Sequence, residues 1–139
     1  MKMGKTFEEI KVGDSASLTV ETNANAHKEF EKLSGDDSPV HTDDAFARKS
    51  GFKKKIGYAF LLSSYLSRLY GTILPGGTSV CLRQEADFVS PWYPSDTLTF
   101  KAKVLRKITS TRIIEIHVEV KRNGGALVMR GLGTLKLLT

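Results

Sequence analysis

Cysteine is almost missing from this sequence: Cys81 is the only one among 139 residues. No internal disulfide can form, and no thiolate cluster can hold a metal. Placed in the strand-like run Val80-Cys81-Leu82, it reads as a packed thiol and not as a nucleophile. Long apolar runs are missing too, so no segment is expected to span a bilayer or rest in one. The basic start Met1-Lys2-Met3-Gly4-Lys5 leads into Phe7-Glu8-Glu9-Ile10, not into an apolar stretch. A secretory signal is therefore not expected, and the default compartment is cytoplasmic. With no linker, internal repeat or low-complexity tract, residues 1–139 read as one domain.

Charge of one sign does not dominate. The net charge is +6, from 21 Lys and Arg against 15 Asp and Glu. A basic balance can serve nucleic acid, an anionic surface or a phosphate-bearing ligand. The cations are scattered, apart from the run Lys53-Lys54-Lys55, which reads first as a solvated stretch. Zinc-finger spacing, an aromatic platform and a long basic helix are all absent, so no nucleic-acid partner is expected. There is no H-x-x-x-H pair and no Gly-rich phosphate loop, so neither a metal nor a bound cofactor is expected.

What the sequence does have is period. Ala16, Leu18 and Val20 alternate with polar residues, which predicts a strand. Asn23 or Asn25 can cap a helix carrying Ala26, Phe30 and Leu33 on one face. Ser34-Gly35-Asp36-Asp37-Ser38-Pro39 breaks it, and a short helix with Ala45, Phe46 and Ala47 should restart at Thr42 or Asp43. From Tyr58 to about Leu74 the chain is apolar nearly all round, interrupted only by Ser64, Ser67 and Arg68. That predicts a buried helix. Beyond Leu74-Pro75-Gly76-Gly77 the period is two throughout. Val80, Leu82, Ala86 and Phe88 begin the pattern; Leu98 to Val104, Ile114 to Val120, and Leu127 to Leu137 continue it. Asn123-Gly124-Gly125 marks a hairpin. These are strands with one dry face, and the long helix is the only element apolar enough to cover it. The expected class is α+β, a curved antiparallel sheet wrapped around a long central helix.

Asp36 and His41 stand five residues apart around Pro39. A turn there can aim a carboxylate and an imidazole at one small space, where they can hold a water and handle its protons. By spacing alone, Asp36 and Asp37 can equally be turn formers, and His41 a packed residue. His27, beside Lys28 and Glu29, reads as lying on a wet helix face, and His117, between Glu115 and Glu119, as a surface charge partner.

The wider run Ser34-Gly35-Asp36-x-x-Pro39-x-His41-x-Asp43, followed by Ala45-Phe46-Ala47, resembles the hydratase motif of the MaoC-like dehydratases. That family includes the (R)-specific enoyl-CoA hydratases. Ile56-Gly57-Tyr58-Ala59-Phe60-Leu61-Leu62-Ser63-Ser64 is similar to the start of its central helix. Asp87-Phe88-Val89-Ser90-Pro91 with Asp96-Thr97-Leu98 resembles a further segment, so the likeness runs from about residue 6 to the C-terminus.

The resemblance implies a hot-dog fold and a homodimer. It implies hydration or dehydration of a 2-enoyl or (R)-3-hydroxyacyl thioester carried on coenzyme A or acyl carrier protein. Asp36 and His41 match the catalytic pair. Ala59 matches the position whose backbone N–H polarises the thioester carbonyl, and Ser64 matches a serine that supports the site. The chain departs from the family at Ser38, where Asn is usual, at Tyr58-Ala59, where His-Gly is usual, and at Ser95, where Gly is usual. Ser38 and Tyr58 are therefore read as supporting or substrate-binding. Two rival readings stay open: a hot-dog acyl-thioesterase, and a non-catalytic acyl-thioester-binding module.

Overall fold

Residues 4–139 are described by a computed structural model, and the basic start at residues 1–3 lies outside them. In chain order the elements are β1 (Ser15–Glu21), α1 (Ala24–Ser34), α2 (Pro39–Thr42), α3 (Asp44–Lys49) and α4 (Ala59–Thr72). The strands β2 (Ser79–Phe88), β3 (Thr97–Ile108), β4 (Ile113–Arg122) and β5 (Leu127–Leu137) follow. All five strands form one sheet in the order β1-β3-β4-β5-β2, and every pairing is antiparallel. The register follows the apolar alternation. Phe100 lies opposite Leu18 on one side and Val120 on the other, so all three point to one face.

Helix α4 fills that face. Its Leu61, Leu62, Leu66, Leu69 and Tyr70 are buried in one cluster with Leu98, Phe100, Ile114, Ile116, Val118 and Leu135 of the sheet. A one-faced sheet and an apolar helix each bury what the other leaves wet. This is the expected α+β hot-dog arrangement. No helix of the described residues is long and apolar enough to cross a membrane.

Local chemistry sets the ends of the elements. Asn23 caps α1, its side chain accepting from the Ala26 N–H at 2.8 Å, and Gly35 closes it in the left-handed region at φ 75°. Asn123 and Gly124 both have positive φ, the backbone of the tight hairpin joining β4 to β5.

Several burial expectations are corrected. Leu33 is exposed, because α1 rests on the body through Ala26, His27, Phe30 and part of Glu31. Ala47 is buried, but Ala45 and Phe46 are exposed. Phe60, in the first turn of α4, is 73% exposed. On β2, Val80, Leu82 and Phe88 are 44%, 54% and 42% exposed, and Cys81 is exposed instead of packed. The strand has only β5 as a neighbour, and a register shift between Cys81 and Arg83 breaks its alternation.

Ser95 has φ 83°, the left-handed region that favours glycine. It lies in the turn closed by the Asp96 N–H donating to the Tyr93 carbonyl at 2.9 Å. Ser95→Gly is therefore expected to raise unfolding free energy by about 1 kcal/mol, read as a higher urea midpoint with unchanged m-value.

Candidate active site

Once Gly35 ends α1, the chain must turn without a regular ladder. Asp36 makes the turn itself: its Oδ1 accepts from the Ser38 N–H at 3.1 Å, an Asx turn. Pro39 then opens α2, where its missing N–H costs nothing. His41 falls in that single helical turn. Asp43 stops it and caps α3, accepting from Ala45 N–H at 2.9 Å and Phe46 N–H at 3.2 Å. The Ser38 hydroxyl and backbone N–H hold the exposed Asp36 carboxyl below its usual range, and the charge of His41 adds to this. Asp36 is therefore an acceptor throughout the neutral range.

The loop is tied to the segment leading into α4. His41 Nδ1 lies 2.9 Å from the Ile56 carbonyl, and the Ile56 N–H donates to the Val40 carbonyl at 3.1 Å. A carbonyl can only accept, so Nδ1 carries the proton and Nε2 remains as the free basic nitrogen. The Tyr58 hydroxyl donates to the Asp36 backbone carbonyl at 2.6 Å, and the Tyr58 ring stacks on the His41 imidazole at 4.0 Å. Burial pushes the Tyr58 hydroxyl up to about 12, so it stays a donor.

Opposite the loop stands the N-terminus of α4. Tyr58 is its N-cap, but no side chain accepts from the first turn, and the Ala59 amide is among the free N–H groups there. Two bonds to Trp92 fix this end: Gly57 N–H donates to the Trp92 carbonyl at 2.6 Å, and Trp92 Nε1–H donates to the Tyr58 carbonyl at 3.2 Å. A Cβ on Gly57 would overlap the Trp92 ring. Between these parts lies a cleft of about 420 Å³, lined by His41, Ile56, Ala59, Phe88 and Trp92 among others. One wall brings a basic imidazole, another a positive helix end, and the remainder is mostly apolar. Such a space can take an uncharged chain with one polar head.

His41 and Ala59 thus share the cleft, with Tyr58 packed behind His41. Asp36 and Ser38 lie on the loop outside its lining. Ser64 is apart from both: it is exposed on α4, and its hydroxyl donates to the Leu61 carbonyl at 2.6 Å. Two contributors escaped the sequence reading. Trp92 follows the quoted Phe88–Pro91 segment directly, so its neighbourhood was the available signal. His27, expected on a wet face, is buried, and its Nε2–H donates to the His41 carbonyl at 2.8 Å. His117 is a surface residue as expected, with Nε2 4.0 Å from Glu119.

Burial pushes the His27 imidazole below its ordinary value, and the charges of Lys55 and His41 act the same way; the hydrogen bond to the His41 carbonyl, and more weakly Glu31, oppose them. A depressed histidine binds fewer protons folded than unfolded. Stability should therefore rise with pH between the folded value and the ordinary one near 6.5, and fall on acidification through that window. Urea midpoints from pH 5 to 7.5 should show this slope in the wild type and a flatter one in His27→Gln.

The family model for the MaoC like domain matches residues 7–125. The (R)-specific enoyl-CoA hydratase of Aeromonas caviae is 32% identical over 94% of this chain and 97% of its own length. A mitochondrial 3-hydroxyacyl-[acyl-carrier-protein] dehydratase of Arabidopsis thaliana is 30% identical, over 86% of this chain and 72% of its own. The solved (R)-hydratase from A. caviae involved in PHA biosynthesis superposes with a TM-score of 0.88 at 32% identity. That match covers 94% of this chain and 98% of the other.

Proposed function

The chain belongs to the MaoC-like dehydratase family, and from that premise we propose that it hydrates 2-enoyl thioesters and dehydrates (R)-3-hydroxyacyl thioesters. The observation that supports this most is the convergence of the His41 imidazole and the Ala59 helix end on one cleft. In the hydration direction, the Asp36/His41 pair orients a water and His41 Nε2 takes one of its protons. The water oxygen bonds to C3 as the C2–C3 double bond breaks. Its electron pair passes through C2 to the thioester oxygen, which the Ala59 N–H and the α4 dipole hold as an enolate. Return of a proton to C2 restores the thioester, so one water is added and nothing is oxidised.

Phe52 and Ile56, which line the cleft, bracket Lys53-Lys54-Lys55. That charge suits the phosphate of coenzyme A or of acyl carrier protein. The test is loss of enoyl absorbance with a panel of trans-2-enoyl-CoA esters of rising length. Thiol release in place of hydration would make the protein a thioesterase, and tight binding without turnover would make it a carrier module.

Dimerisation belongs to the same reading. β2 is an edge strand with apolar Val80 and Leu82 exposed, whereas the β1 edge is mostly polar. An exposed apolar edge is a liability that pairing with a second copy removes. Light scattering at micromolar concentration should return twice the 15.3 kDa chain mass, and Leu82→Lys should shift it toward one. A wild-type monomer would overturn the assignment.

A further inference from the structure

We infer that His27 is a positioning residue that aims the His41 imidazole into the cleft, a role that rests on the hydratase reading above. The loop that carries Asp36 and His41 has almost no core of its own: α2 buries no residue, and Asp36 and Asp37 are exposed. Its orientation must come from outside. Three of its ties come from the 56–58 segment; the fourth comes from α1, through His27.

The His27 and Tyr58 rings lie 4.7 Å apart, and each donates to one backbone carbonyl of the pair. His27 holds His41 and Tyr58 holds Asp36. The two rings form a buried clamp across both reacting residues, with Phe30 backing Tyr58 at 4.8 Å. Because His41 stacks directly on Tyr58, a shift of His27 reaches the imidazole through its carbonyl and through the ring behind it.

A packing role alone does not account for a histidine here. His27 is 3% exposed, and its Nδ1 finds no hydrogen-bond partner among the described residues. Half of its polar capacity is therefore buried unsatisfied, a cost that an aliphatic side chain of similar size would avoid. What histidine adds over the aliphatic residue is the Nε2–H bond to the His41 carbonyl. Groups that must hold a reacting atom within a fraction of an ångström are where such a cost is retained.

The test combines kinetics with a reading that needs no turnover. His27→Val is expected to lower kcat for enoyl-CoA hydration about ten-fold with KM within two-fold, the scale of a small misplacement of a reacting group. His27→Gln, whose amide can reach the same carbonyl, should recover most of the loss. On a His41→Ala background His27→Val should change residual activity less than two-fold, because the clamp acts through His41. Nitrogen-15 spectra of the imidazoles should show His41 fixed as the Nδ1–H form in the wild type and exchanging between forms in His27→Val. Wild-type kcat in His27→Val would overturn the inference. So would an equal fold-loss on both backgrounds, failure of His27→Gln to rescue, or a His41 tautomer unchanged by His27→Val. A wild type that turns over no thioester would overturn the hydratase reading instead, while the His41 spectra still decide the clamp.

Discussion

Replacing His41 by alanine is expected to lower enoyl-thioester hydration by about 10² to 10⁴-fold, and Asp36→Asn by a similar factor, the usual worth of general acid–base groups. The effect should fall on kcat, because neither side chain is needed to fill the apolar walls of the cleft. Folding should survive both changes. Asp36→Asn keeps an Oδ1 acceptor for the Ser38 N–H, so the Asx turn persists. His41→Ala loses the bond to the Ile56 carbonyl and the stack on Tyr58, a cost of about 1 kcal/mol in a part of the chain that buries little. Circular dichroism melts alongside steady-state rates separate the cases. Variants that fold and keep wild-type rates would remove the pair from the mechanism. Unfolded variants would make this loop a structural element.

The loop that carries Asp36 and His41 was legible because local rules write it, whereas their role as a pair was implied by the resemblance alone. Gly35, Asp36, Pro39 and Asp43 each terminate, turn or cap within a few residues, and the structure uses each of them so. The sheet was visible for the same reason, since alternation states which face is dry. What was hidden depends on distant partners. His27 sits on a helix with Lys28 and Glu29 directly after it, and the Tyr58 ring and the His41 carbonyl, both farther along the chain, pack against it. On β2 the sequence alternates, but the edge place and the register shift leave Val80 and Leu82 wet while Ala86 packs against the core. At Ser95 the glycine usual in the family was the one signal, and the left-handed backbone there is its physical reason. Phe60 matched an apolar helix, yet it points away from the sheet that covers its neighbours.

The sharpest test of the helix end is Ala59→Pro. Ala59 is the first residue of α4, the position where proline is tolerated, because that N–H has no partner within the helix. The residue before a proline must be extended, and Tyr58 already is, with φ −75° and ψ 129°. The substitution should therefore leave α4 and its burial intact while deleting one donor. If that amide holds the developing enolate oxygen, kcat should fall by about 10² to 10³-fold, the usual loss for one oxyanion donor. The proline ring also occupies space in front of the amide, so companions are needed. Ala59→Val crowds the same approach without removing the N–H, and Ala59→Gly clears it. Crowding should appear mainly in KM, whereas loss of the donor should appear in kcat. Ala59→Gly should match or exceed the wild type, Ala59→Val should fall between, and Ala59→Pro should lose most. A folded Ala59→Pro variant with kcat near wild type would show that the electron pair is received elsewhere, and the cleft would have lost its electrophilic side.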